Sequence, residues 1–332
     1  MISEFHLRGW IRIPEVEIVA LGNRTLPRAA ERRDAFAPGA RVYSGLAEML
    51  DAERPDFVDI LTAPALHLEH CRMARERGVH VICQKPLADT LENARSLAAM
   101  MRGYDRIFAI HENHRYRPWF SRLARQAREG LFGRISFARF EHLNGSGPPA
   151  GFKTESPAGV LLEYGSHLVD MMRAVLGEPE RVYARFARVN PDVGGESLAH
   201  LVYEYGDSTA VVSAAWKNTG TTQGSVLIHG TKREAVYDGT LTRGGVARVR
   251  VSKAGVVTED EARSPCDDYA ESFYLLQREV TDAMLGRGAV VQTAEEHMRT
   301  VVCTFAGYES ARRGEPVALA EFEAGWNPPP RR

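Results

Sequence analysis

Along the first third of the chain, apolar residues come in short bursts separated by polar stretches of helical length. The bursts at 16–21, 41–43, 57–62, 81–83 and 107–110 predict strands. The stretches at 2–13, 28–36, 91–102, one reaching Leu50 and one running to Arg77 predict helices. Pro14 stops the first helix, and Ser44 stands where it would cap the one reaching Leu50. Strand and helix in alternation, with short connections, predict a doubly wound parallel sheet. A domain of this kind opens with a strand and a Gly-x-Gly-x-x-Gly turn, but this chain opens directly on the helix that should follow.

The pattern changes after a helix over 119–128, which Gly130 and Gly133 punctuate. Strands then come in runs, at 135–142, 181–189, 199–205, 210–215, 225–229, 234–237 and 247–251. Short turns such as Tyr205-Gly206-Asp207-Ser208 imply antiparallel hairpins. Helices are expected at 165–176, 269–284 and 294–312. The expected organisation is an α/β dinucleotide-binding domain lacking its first strand (1–117) and an α+β domain with an open-faced, mostly antiparallel sheet (118–332).

Composition narrows the function classes. The net charge of −1 offers no electrostatic case for nucleic acid or for an anionic membrane. No apolar run has the length of a membrane span, and the N-terminus lacks a secretory pattern. Cys71, Cys83, Cys266 and Cys303 are not at metal-ligand spacing, so free thiols, no bound metal and a cytoplasmic setting are expected. The tail at 327–332 reads as disordered.

Candidate chemistry gathers at the predicted strand ends, where open α/β sheets bind ligands. Val81-Ile82-Cys83 reads as a buried strand, and Pro86 ends it, leaving Gln84 and Lys85 at its C-terminal end. The same pattern fits a surface lysine. Asn23, at the end of the 16–21 strand, lacks the carboxylate that would repel a 2′-phosphate, and Arg24 beside it offers a cation; a plain polar turn fits as well. Thr62, Pro64 and His67 lie where the next strand gives way to a helix, with an ordinary helix start as the competing reading. His111-Glu112-Asn113-His114-Arg115 is dense in donors and suits a polyhydroxylated ligand or a solvated domain junction. Glu163, Gly165, Ser166, His167 and Asp170 lie where the second domain's helix at 165–176 begins. Gly165 is expected to permit the turn and Ser166 to cap the helix, leaving His167 with carboxylates on both sides as a general acid or base.

These stretches together resemble the Gfo/Idh/MocA family, that of glucose–fructose oxidoreductase and inositol dehydrogenase, over nearly the whole chain. Its Glu-Lys-Pro stands here as Gln84-Lys85-Pro86, and its Pro-x-x-His as Pro64 to His67. Its Asn-x-Arg before a proline stands as Asn113, Arg115 and Pro118, and its acidic-x-Gly-x-His-x-x-Asp as Glu163, Gly165, His167 and Asp170. Gln84 in place of glutamate, with His-Glu-Asn-x-Arg, looks like a subgroup that includes D-apiose dehydrogenases.

The resemblance implies a Rossmann domain, NAD or NADP, a sugar or polyol substrate, and a homodimer or homotetramer that covers the outer face of the second sheet. It places Ile2 and Ser3 in the helix after the glycine turn. It therefore implies a chain extending upstream by one strand and that turn, the strand lying between those containing Val19 and Ile60. The expected cofactor-binding set is Ile2, Ser3, Asn23, Arg24, Thr62, Pro64, His67, Gln84, Lys85 and Asn113. The expected catalytic set is Lys85, Glu163 and His167, with Arg115 joining them on the substrate. The expected activity is oxidation of a hydroxyl by hydride transfer to nicotinamide. NAD-assisted glycosidic cleavage and non-catalytic ligand sensing are the alternatives.

Overall fold

A computed structural model describes residues 2–145, 158–216, 222–241 and 245–324; the expectation for the tail at 327–332 lies outside them. The chain forms two compact units. One comprises Met1–Asn113 and Ala270–Met298, the other His114–Tyr269 and Arg299–Arg332. The sequence reading divided the chain at 117 and kept both closing helices in the second domain, whereas packing returns Ala270–Met298 to the first unit.

The first unit carries parallel strands β1 (Ala20–Gly22), β2 (Arg41–Tyr43), β3 (Phe57–Ile60), β4 (His80–Gln84) and β5 (Phe108–His111). They form two sheets, β1-β2 and β3-β4-β5. Among the described residues, β1 pairs with β2 and β3 pairs with β4. The strand predicted at 16–21 is observed only from Ala20, and Val19 is 37% exposed. β4 is central to its sheet, and Val81, Ile82 and Cys83 are fully buried, as a strand covered on both faces must be.

Helix α1 (Ile2–Trp10) ends before the predicted Ile13; the chain continues in turns, Ile11 N–H donating to Leu7 O at 3.0 Å. The helix Leu46–Glu53 is capped by the backbone of Gly45, not by the Ser44 side chain. The returning segment packs on α1. Phe273 is fully buried, 5.4 Å from the Phe5 ring, 5.2 Å from His6 and 5.0 Å from His111. Burying such a ring contributes roughly 1.5–3 kcal/mol. The approach is close enough that a Cβ on Gly9 would lie 1.9 Å from Gln277 Oε1.

The second unit is built on a nine-stranded sheet. Its strands are β6 (Ile135–Asn144), β7 (Arg181–Ala187), β8 (Leu198–Tyr205), β9 (Ser208–Trp216), β10 (Gln223–Gly230), β11 (Glu234–Gly239), β12 (Ala247–Lys253), β13 (Val256–Arg263) and β14 (Val317–Ala318). The order is β13-β12-β11-β10-β6-β9-β8-β7-β14. Hairpins dominate as expected, but β6 and β9 pair in parallel, so the sheet is mixed. β13 escaped the sequence reading because half its residues are charged. It is an edge strand, and its acids meet Arg122 and Arg248. One face of the sheet is buried: Tyr203 donates to Cys303 O at 3.1 Å, and Trp119 stacks on Tyr237 at 4.0 Å.

Candidate active site

In the first unit, the end of β4 is held by neutral hydrogen bonds. Gln84 Oε1 accepts from Lys85 N–H at 2.8 Å, and Gln84 Nε2 lies 2.8 Å from His6 Nε2. The His67 ring is fully buried beneath the turn that follows. Its Nδ1 is 3.1 Å from Pro86 O and 3.2 Å from Leu87 O, and its Nε2 is 3.0 Å from Thr62 O. Burial pushes its pKa down, against the pull of those carbonyls. The sequence reading set His67 among the cofactor-binding residues, with an ordinary helix start as the alternative. The structure makes it a strut between the ends of β3 and β4. Asn113 is buried and donates to Ser272 Oγ at 2.7 Å.

Asn23 and Arg24 are exposed just past β1, and Asn23 Oδ1 accepts from Thr25 N–H at 2.8 Å. Ile2 and Ser3 form the first turn of α1. The remaining strand-end residues, Thr62 and Pro64, lead into α4 (His67–Glu76).

In the second unit, Leu161–Gly165 is a turn of π-helix that runs into α7 (Ser166–Leu176). Gly165 is helical, with φ −59°, so it does not serve as a turn residue. A Cβ there would come within 2.8 Å of Leu161 Cδ1. Ser166 lies inside the helix, and its Oγ donates back to Leu162 O at 2.8 Å, so it is not the cap. The helical start is held instead by Glu196, which accepts from Leu161 N–H at 2.9 Å, Gly159 N–H at 3.1 Å and Tyr308 OH at 2.8 Å. Burial raises the Glu196 pKa.

His167 is 5% exposed and stacks on His114 at 3.8 Å with an interplanar angle of 4°. Tyr164 meets both rings edge-on at 5.5 Å and stacks on His142 at 3.9 Å. Burial, with Arg117 nearby, pushes His142 down to about 3. One turn after His167, Asp170 is fully buried. Arg115 clamps it, Nε to Oδ2 at 2.6 Å and Nη2 to Oδ1 at 2.5 Å, and Thr300 donates to it at 2.9 Å. Arg173 donates to Thr300 at 2.7 Å and to Glu178 at 2.6 and 2.9 Å. Arg115, expected on the substrate, directs its Nε and Nη2 to Asp170.

Sequence reasoning passed over His6, Asp59, His142 and Glu196. For His142 a signal was present: Ala138, Phe140 and His142 share the buried face of β6 at period two.

Comparison with known proteins decides the lineage. Residues 1–112 match the model of an oxidoreductase family with an NAD-binding Rossmann fold, and residues 120–236 match the GFO/IDH/MocA C-terminal domain. A D-apiose dehydrogenase of Paraburkholderia graminis is 30% identical, in an alignment taking in 97% of this chain and 88% of that protein. The chain belongs to the Gfo/Idh/MocA family. A D-glucoside 3-dehydrogenase of Escherichia coli is 26% identical over 94% of this chain and 85% of that protein. An oxidoreductase from Agrobacterium radiobacter, solved with NAD+, L-tartaric acid and magnesium, shares the fold of this Gfo/Idh/MocA protein at a TM-score of 0.84 and 24% identity, with 96% of each chain covered. A levoglucosan dehydrogenase solved with NADH and levoglucosan does so at 0.82 and 20%, again over 96% of each chain.

This family member is therefore an oxidoreductase that binds a nicotinamide dinucleotide and acts on CH–OH groups. Its first unit has the donor chemistry for that cofactor. An amide and a guanidinium stand at the end of β1, a hydroxyl at the end of β3, and an amide and an ammonium at the end of β4. Among the described residues, no group of three His, Cys, Asp or Glu is placed to hold a metal ion, and no helix is long and apolar enough to cross a membrane.

Proposed function

We propose that this oxidoreductase oxidises one secondary or lactol hydroxyl of a sugar, cyclitol or sugar-derived substrate. The bound nicotinamide, of NAD or NADP, supplies the hydride acceptor. His167 takes the hydroxyl proton, and Glu163 orients its ring. Lys85 donates to the same oxygen and stabilises the negative charge that grows there as the proton leaves. Gln84 and Asn113 shape the nicotinamide end. Thr62, Pro64 and His67 form the wall after β3, Asn23 and Arg24 hold the ribose, and Ile2 and Ser3 stand at the pyrophosphate. Arg115 acts through Asp170, keeping α7 in place beneath the substrate.

The setting of His167 carries this reading. A ring stacked flat on His114 holds its plane, so its nitrogens point in set directions, and the helix beneath is anchored one turn on by Asp170. A general base needs that constancy of direction, and imidazole exchanges protons near neutrality. The dehydrogenase names of the full-length relatives support a sugar as the substrate class. D-apiose, methyl D-glucosides and levoglucosan, each offered with NAD+ and NADP+, test it. Growth of nucleotide absorbance at 340 nm with at least one sugar is expected, and none with any pairing overturns it.

Assembly is part of the proposal. The face of the nine-stranded sheet opposite the buried one carries Arg139, Glu141, Val202 and Leu227, half-buried or exposed in a single chain. A homodimer or homotetramer pairing these faces would cover them. Light scattering at micromolar concentration should return a multiple of the 36.9 kDa chain mass; a strictly monomeric mass overturns this.

A further inference from the structure

Gln84 is the residue by which this chain departs from the family's Glu-Lys-Pro, and its surroundings account for the departure. Its amide is 8% exposed and has two neighbours of fixed demand. On one side is the Lys85 backbone N–H, 2.8 Å from Oε1, which can only donate. The carbonyl end must face it. The amide nitrogen must then face His6 Nε2, at 2.8 Å, and an amide nitrogen only donates. His6 Nε2 therefore carries the lone pair and the imidazole hydrogen lies on Nδ1. Nδ1 is 2.7 Å from Asp59 Oδ2, an acceptor, so the assignment closes without conflict.

The far end is also tied. Asp59 Oδ2 accepts from Trp10 Nε1 at 2.7 Å, and the His6 carbonyl accepts from Gln277 Nε2 at 3.1 Å. The His6 ring, 1% exposed, lies 4.0 Å from the ring of His111, which burial holds far below the usual imidazole range and thus neutral. A glutamate at 84 would offer only acceptors, so His6 would have to carry hydrogen on both ring nitrogens and could no longer be the neutral Nδ1–H form. Histidine at 6 and glutamine at 84 are a matched pair.

We propose that His6, backed by Asp59 and Trp10, is a positioning residue for Lys85: it locks the Gln84 amide in the one orientation that holds the Lys85 backbone. The inference rests on the reading of Lys85 as the group that acts on the substrate oxygen.

The experiment is a double-mutant cycle, run with whichever of D-apiose, methyl D-glucoside and levoglucosan reduces cofactor fastest. His6→Ala is expected to lower kcat by roughly 10- to 100-fold, the usual cost of a small misplacement at a reacting centre. NADH affinity, followed by fluorescence titration, should change little. In the Lys85→Ala background the same change should cost nothing further, because its route is already cut. His6→Gln, which keeps an acceptor for the Gln84 amide, should recover most of the loss. Gln84→Glu should be damaging alone and partly rescued by His6→Gln, whose amide can donate to the new carboxylate. In the unmodified protein, 15N NMR of labelled histidine should show His6 as the Nδ1–H tautomer.

The outcomes separate the two readings. Full turnover by Lys85→Ala defeats the catalytic role of Lys85. A large loss with Lys85→Ala, but none with His6→Ala, or losses that simply multiply, defeats the positioning role alone. An Nε2–H tautomer for His6 defeats it without any kinetics.

Discussion

At the strand end that carries Lys85, the contacts run through a glutamine amide, a histidine imidazole and the buried His67 ring against backbone carbonyls, with the Asp59 carboxylate behind His6. The helix that carries His167 is held by charge: Asp170 clamped by Arg115, with Arg173 and Glu178 beyond. The contrast follows from what each segment is asked to do. The amide at 84 accepts from the Lys85 backbone N–H and donates to His6 at the same time, which a carboxylate cannot do. Asp170 lies one turn from a group that must exchange a proton, and its own charge is already answered by guanidinium, so it can anchor the helix without holding the proton on His167.

Removing the reacting groups tests the comparison most severely. His167→Ala should lower turnover by ~10²–10⁴-fold with cofactor affinity retained, and Lys85→Ala should be comparably damaging. Stopped-flow turnover beside NADH titration reads both, and near-normal turnover in either variant removes that residue from the chemistry.

The charged anchor should be far less tolerant than the neutral one. Asp170→Ala leaves the Arg115 guanidinium buried without its carboxylate and should cost about 3–5 kcal/mol of stability in the second unit. Gln84→Ala removes only neutral hydrogen bonds, worth about 0.5–1.5 kcal/mol each. Denaturant titrations of the two variants should rank in that order, and equal losses would erase the distinction.

Acid should weaken the second unit through His142. Its folded pKa, about 3, lies below that of an unfolded imidazole. Above about pH 6.5 the two states bind protons alike. As pH falls below that, the unfolded chain takes up a proton that the folded chain refuses, and stability drops until the folded pKa is reached. The loss from this group between pH 7 and pH 5 should be about 2 kcal/mol, and His142→Gln should abolish it. Urea midpoints at the two pH values measure the difference. A variant as acid-sensitive as the parent sinks the assignment.

The smallest effect belongs to cofactor choice. Asn23→Asp should move the specificity ratio toward NAD by roughly tenfold, as about 1.4 kcal/mol of repulsion from a 2′-phosphate would. An unmoved ratio means that residue 23 does not meet the ribose.

Period and punctuation in the sequence determined the alternation of the first unit, the buried strand ending at Lys85, the runs of the second sheet and the order of the four motifs. Each of these depends on neighbours within a few residues, where side-chain alternation, proline and helical spacing act directly. The pairing partners needed the tertiary structure. Which strand lies beside which, why β6 and β9 run parallel and why the first unit's strands divide into two sheets depend on backbone groups far apart in the chain. The contacts of single polar residues were decided there too. His67 and Arg115 carry the residue types of a ligand site, and only the structure shows His67 against the carbonyls under β4 and Arg115 against the carboxylate of Asp170. His6 and Gln84, 78 positions apart, became a pair because a buried donor must find an acceptor, wherever in the chain that acceptor lies.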